Sequence, residues 1–181
     1  MLIVTGASGQ LGRKIIDNLL LHTPAERIGV SVRDPARVAD LSGLGVRVRR
    51  GDYDDPESLV HAWEGAERLL LVSSNAAATG RDPLKQHAAA VAVACEIGVK
   101  RVLYTSQVSS CASSHFSPGR DYAATEAMLA ESGLAWTAMR HGFYAASALM
   151  MNARGWEAGT IAAPQDGKVA WTTHDDLAAI D

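Results

Sequence analysis

Three glycines spaced three apart separate an apolar run from an amphipathic segment. No other feature of the sequence restricts the fold as much. The run Leu2–Val4 reads as a buried strand. It breaks at Gly6-Ala7-Ser8-Gly9-Gln10-Leu11-Gly12, and Leu11, Ile15, Ile16, Leu19 and Leu20 then recur at spacings of three and four. That stripe belongs to a helix with one apolar face. The G-x-x-G-x-x-G spacing differs from the G-x-G-x-x-G dinucleotide fingerprint but can use the same physics. Gly6 permits a tight turn, Gly9 lets the backbone approach a pyrophosphate, and Gly12 lets the helix pack close to the sheet. Free N–H groups and the helix dipole at that end favour an anion. A merely structural turn is the competing reading.

The strand-then-helix pattern repeats along the chain. Further strands are predicted at Ile28–Val32, Val46–Val48, Arg68–Val72, Arg101–Thr105 and Ala135–Arg140. Helices are predicted between them at Ala36–Leu41, Asp55–Trp63, Leu84–Ile97 and Asp121–Ser132. Ser106–Gly119 is a long Ser-rich stretch and hence a candidate functional loop. Phe143–Arg154 reads as helical, with two short strands, Gly159–Ala162 and Lys168–Trp171, around the turn Pro164–Gly167. Helical crossovers imply parallel strands wound right-handed. The expected fold is a Rossmann-like, doubly wound α/β sheet with helices on both faces. Residues 1–181 are expected to form one domain, with a small substrate-covering part starting at about 142. Ligands of such sheets lie beyond the carboxyl ends of the strands. The loops that matter are therefore those after each strand.

The net charge of −3 and the absence of a long basic tract argue against nucleic acid as a partner. No apolar stretch is long enough to span a membrane. Cys95 and Cys111 have no metal-ligand spacing, and Cys95 reads as a buried small residue. His87, His115, His141 and His174 also lack such spacing, so no metal is expected. Ser73-Ser74 lacks a nucleophile elbow, which argues against a hydrolase. His115 is either a proton donor or a solvated loop residue. Phe143, Tyr144 and Trp171 are either a stacking surface for a flat substrate or core aromatics. The chain opens directly on a strand, so no leader is expected and the cytoplasm is the plain location.

The end of the second strand bears on the cofactor. NAD-binding folds place an acid about twenty residues past the glycines. Here Arg33 stands twenty-one residues after Gly12. A guanidinium suits a 2′-phosphate, which favours NADPH over NADH. Asp34 either braces Arg33 or repels the phosphate, and the alternative for Arg33 is a plain surface residue. Asp52 is an adenine or ribose partner, or a turn former.

Gly6–Arg13, Val32–Pro35, Arg50–Pro56, Leu70–Ser74, Tyr104–Ser106, Ala124–Glu126 and Arg140–Tyr144 together carry a resemblance. In this order the chain resembles the NmrA-like atypical short-chain dehydrogenase/reductase family, nearest its NADPH-dependent quinone reductases. The resemblance covers essentially the whole chain. It implies NADP(H) held by Gly6, Ser8, Gly9, Gln10, Leu11 and Arg33, with Asp52 and Tyr53 near the adenine and Ser73, Ser74 and Asn75 along the ribose. It also implies direct hydride transfer to a quinone or similar flat acceptor, with the proton from water or from the candidate catalytic residue Tyr122. Three departures stand out. Glu126 occupies the lysine position of Tyr-x-x-x-Lys, and His141 stands where these quinone reductases tend to have asparagine. The sequence also ends just after Thr173-His-Asp-Asp176, whereas family members usually continue. The expected partner is a small-molecule acceptor, with a homodimer left open. The alternatives are an NADP(H)-binding redox sensor and, least favoured, a nucleotide-sugar epimerase.

Overall fold

The computed structural model describes residues 1–161 and 167–181. Strand β1 (Leu2–Thr5) lies inside a six-stranded sheet made with β2 (Ile28–Val32), β3 (Arg47–Arg50), β4 (Arg68–Leu71), β5 (Arg101–Gln107) and β6 (Ala135–His141). The order is β3-β2-β1-β4-β5-β6, and every pairing is parallel. Direction of winding reverses between β1 and β4, which opens a crevice at their carboxyl ends. The connecting helices are α1 (Gln10–His22), α2 (Ala39–Gly43), α3 (Pro56–Ala62), α4 (Pro83–Glu96) and α5 (Ser117–Glu131).

Alternation along each strand divides the core into two layers. Ile3, Leu69, Leu71, Val102 and Tyr104 face one side with Leu59, Trp63 and Leu129. Val4, Ile28, Val30, Val32 and Leu70 face the other with Leu11, Ile15 and Ile16 of α1. Each fully buried large apolar side chain in these layers contributes roughly 1.5–3 kcal/mol.

Several boundaries depart from the sequence reading. The predicted helix at 36–41 is a 3-10 turn, Pro35–Val38, followed by α2. The third strand begins at Arg47, because Val46 is buried as the chain leaves α2. The fifth strand runs on through Ser106 and Gln107, which pair with Arg140 and His141, so the Ser-rich loop is shorter than expected. Phe143–Tyr144 is not helical. It forms β7, parallel to β8 (Trp171–Thr172), and α6 (Ala145–Met151) and α7 (Ala153–Ala158) follow it. Of the two predicted short strands, Gly159–Ile161 forms none and Lys168–Ala170 lies outside β8; Ala162 and most of the Pro164–Gly167 turn fall outside the described residues. Cys95 is exposed rather than buried. The last helix, α8 (His174–Ile180), lies on α1, with Leu177 and Ala178 in the α1 layer and Lys14 Nζ 2.5 Å from Asp175 Oδ1. No described helix is long and apolar enough to cross a membrane.

Candidate functional site

A cleft of about 1080 Å³ opens at the carboxyl ends of the strands. The residues expected to hold the cofactor, Gly6, Ser8, Gly9, Gln10, Leu11, Arg33, Asp52, Tyr53, Ser73, Ser74 and Asn75, line it together with Tyr122.

Gly6 has φ +66°, a left-handed conformation that suits glycine. Its carbonyl accepts from the Gly9 N–H at 2.9 Å, which closes the turn. A Cβ on Gly12 would stand 2.4 Å from that same carbonyl oxygen. Gly12 therefore packs on the loop's own backbone rather than on the sheet. Helix α1 has no side-chain cap at Gly9 and no acid in its first turn. Its first bond runs from Arg13 N–H to Gly9 O at 3.0 Å, so the N–H groups of Gln10, Leu11 and Gly12 have no partner among the described residues. Uncapped donors at the positive end of a helix form an anion site.

Arg33, at the end of β2, is exposed at the cleft wall and makes no ion pair with any described residue. Asp34 does not brace it. The Asp34 carboxylate accepts from Ala36 N–H at 3.1 Å and caps the following turn. One turn on, Arg37 brings a second guanidinium to the cleft, which sequence reasoning missed.

Asp52 closes a turn, its carboxylate accepting from Asp54 N–H at 3.1 Å, and it also lines the cleft. The Tyr53 hydroxyl lies 2.7 Å from Thr5 Oγ1 and 2.9 Å from the Val72 carbonyl, tying the ends of β1 and β4 together. Burial pushes its pKa well above the usual phenol range. Its ring therefore contributes a wall and its hydroxyl is committed to the scaffold.

The loop after β4 is pinned from beneath. Ser73 N–H donates to Thr105 Oγ1 at 2.8 Å, and Ser74 N–H donates to His87 Nε2 at 2.9 Å. Ser74 Oγ also bonds to Gln86 Oε1, and Gln86 Nε2 donates to Asp54 at 2.8 Å. Neither Gln86 nor His87 was singled out in the sequence as a site residue. Their partners are distant in the chain, and α4 reads simply as an apolar helix.

At the other end the cleft is walled by Tyr122, Pro118, Tyr144, Met150 and His174. Burial is the main cause that pushes the Tyr144 hydroxyl up to about 12. Glu126, one turn after Tyr122, faces away from the cleft. Its carboxylate takes a two-pronged bond from Arg140, at 3.0 and 2.5 Å, and a third from Ser106 Oγ at 2.5 Å. Burial raises its pKa, but these donors outweigh burial and hold it below the usual range. Phe143 and Trp171 lie off the cleft, in an exposed aromatic row with Phe116. His115 is not part of the cleft wall, and His141 is buried with Nε2 2.8 Å from Asp181 Oδ1.

A parallel sheet in this order, with an uncapped helix N-terminus at the switch point, defines a Rossmann-type dinucleotide-binding fold. The chain belongs to the NAD(P)H-binding family, whose model matches residues 6–174. It is 38% identical over 180 residues to quinone oxidoreductase 2 of Escherichia coli K12, covering 99% of this chain and 62% of that protein. The structure of the E. coli NADPH-dependent quinone oxidoreductase complexed with NADPH superimposes with a TM-score of 0.89 at 37% identity, over 98% of this chain and 62% of that one. The triphenylmethane reductase of Citrobacter sp., complexed with NADP(H), gives a TM-score of 0.89 at 32% identity, over 99% of this chain and 63% of that one. The chain thus spans about three-fifths of the length of these relatives.

Proposed function

We propose that this chain is the NADP(H)-holding part of an oxidoreductase that reduces quinones or similar flat electrophiles. The observation that carries the reading is a pair of cationic features on one cleft that no described residue opposes: the uncapped start of α1 and the guanidinium of Arg33, which has no ion-pair partner among the described residues. They fit the pyrophosphate and the 2′-phosphate of NADPH, and the close turn at Gly6 and Gly9 leaves room for the former. Asp52 and Tyr53 would flank the adenine, and Ser73, Ser74 and Asn75 the ribose. When bound, the dinucleotide supplies a hydride.

The chain's own residues orient and exclude water. Tyr122, Tyr144 and Met150 offer rings and a thioether at the far end of the cleft, suited to a flat, polarisable acceptor. Tyr122 is the candidate proton donor. Its i+4 neighbour is Glu126 rather than a lysine, and that carboxylate is committed to Arg140. Reduction of a quinone tolerates this, since the product is a stabilised phenolate that water can protonate. The segment from about 142 would begin the part that covers the acceptor. Two free, exposed cysteines suit a reducing cytoplasm.

The test is NADPH oxidation, followed at the nicotinamide absorbance, with and without a panel of quinones. Acceptor-dependent turnover is the expected result. Tight NADPH binding with no turnover on any acceptor would favour a redox sensor instead.

A further inference from the structure

We infer that His87 is a positioning residue for the bound dinucleotide: its imidazole sets the loop after β4 and registers that loop against the helix carrying Tyr122. The inference rests on the reading that the dinucleotide occupies this cleft. His87 sits in the first half of α4 and is 2% exposed. Its hydrogen bonds have only one consistent direction. A backbone N–H can only donate, so Nε2 accepts from Ser74 N–H at 2.9 Å. The neutral ring then carries its proton on Nδ1, which donates to Thr125 Oγ1 at 2.8 Å. Thr125 passes its own proton to the Asp121 carbonyl at 2.9 Å.

Burial lowers the His87 pKa to about 4, so the ring is neutral near pH 7. The rings of Tyr53 and Tyr104 meet it edge-on at 6.5 and 5.6 Å and limit its tilt. Thr125 lies three residues after Tyr122, on neighbouring positions of one helix. One imidazole therefore joins a loop on the nucleotide side of the cleft to the helix on its acceptor side. A histidine that only filled core volume would have no reason to spend its acceptor on a cleft-loop amide.

The test uses three substitutions. His87→Leu keeps the volume and removes both bonds. His87→Gln keeps an acceptor that reaches Ser74, and His87→Asn keeps a group only at the Nδ1 position. NADPH binding is read from nicotinamide fluorescence, next to the thermal midpoint of each variant, with Gly9→Val as a control. His87→Leu and His87→Asn should weaken NADPH about tenfold, and His87→Gln should stay within about threefold of wild type. NADPH affinity unchanged in folded His87→Leu would overturn the inference. So would equal losses in the Gln and Asn variants that track their midpoints, and that contrast decides the matter even if His87→Leu does not fold. Wild-type protein that fails to bind NADPH, or Gly9→Val protein that binds it normally, would instead overturn the underlying placement of the dinucleotide.

Discussion

The Arg33 guanidinium faces the cleft with no carboxylate from the described residues to neutralise it. A charge-assisted bond to a 2′-phosphate contributes roughly 1.5–3 kcal/mol, or about ten- to a hundredfold in affinity. Arg33→Ala should weaken NADPH by that factor and leave NADH nearly unchanged, with Arg33→Lys in between. Titrating both cofactors checks this, and equal losses for the two would remove Arg33 from the phosphate site. Arg37 tempers the expectation, because it keeps one cation nearby and places the Arg33→Ala effect toward the lower end. His87 gives a pH prediction. Its pKa falls from 6.5 to about 4 on folding, so the unfolded chain binds more protons between those values. The contribution of His87 to stability is complete above pH 6.5 and declines by about 1.4 kcal/mol per unit as pH falls toward 4. Chemical denaturation at pH 7 and pH 5 should show a smaller loss in His87→Leu than in wild type. Parallel losses would show that carboxylates alone set the acid sensitivity. At this scale, the tight turn at Gly6 and the position of Arg33 at the cleft wall are legible in the sequence because both depend on near neighbours. His87 is not, because its partners lie 13 and 38 residues away.

Between elements, the tie from α5 to β6 shows why a motif can be read correctly and its departure misjudged. The sequence marks Glu126 only as a missing lysine. In the fold it is the acceptor for Arg140 and Ser106, from two adjacent strands. Glu126→Ala should therefore lower stability by about 1–3 kcal/mol, since it leaves two donors without their shared acceptor. Tyr122→Phe should leave stability unchanged and reduce quinone turnover by less than about tenfold. Denaturation midpoints and steady-state rates for the two variants separate the roles. A large stability loss in Tyr122→Phe, or none in Glu126→Ala, would contradict the division. The doubly wound sheet was legible because apolar runs mark most of its strands and apolar periodicity marks most of its helices, while α2 and β3, which carry little of either, fall outside their expected bounds. The end of β5 was not, because Ser106 and Gln107 are polar yet buried against β6 and their neighbours. Nor was β7, two residues long, whose pairing depends on Trp171 far along the chain.

Across the whole molecule, the cleft draws on the loops after β1, β2, β3 and β4 and on α5, so it touches both halves of the sheet. A ligand that binds this cleft binds only the folded chain, so its binding energy adds to the stability of the sheet as a unit. At a hundred times its dissociation constant such a ligand stabilises by about 2.7 kcal/mol. For a chain of this size that corresponds to an upward shift of about 5–10 °C in the thermal midpoint. NADPH should give this shift in wild type and little or none in Gly9→Val, whose side chain would intrude where the pyrophosphate approaches. NADH at the same concentration should shift the midpoint less, by the margin that Arg33 provides. Helix α7 stands apart from this coupling. It has no buried residue, contributes nothing to the cleft wall, and presents Trp156 at 71% exposure. Limited proteolysis should therefore cut at α7 at the same rate with and without NADPH, while cuts in the loop after β4 slow when NADPH is present. Equal protection of both segments would mean that α7 is coupled to the cofactor cleft. Protection of neither, alongside a normal midpoint shift, would place the binding energy somewhere other than the loop pinned by His87.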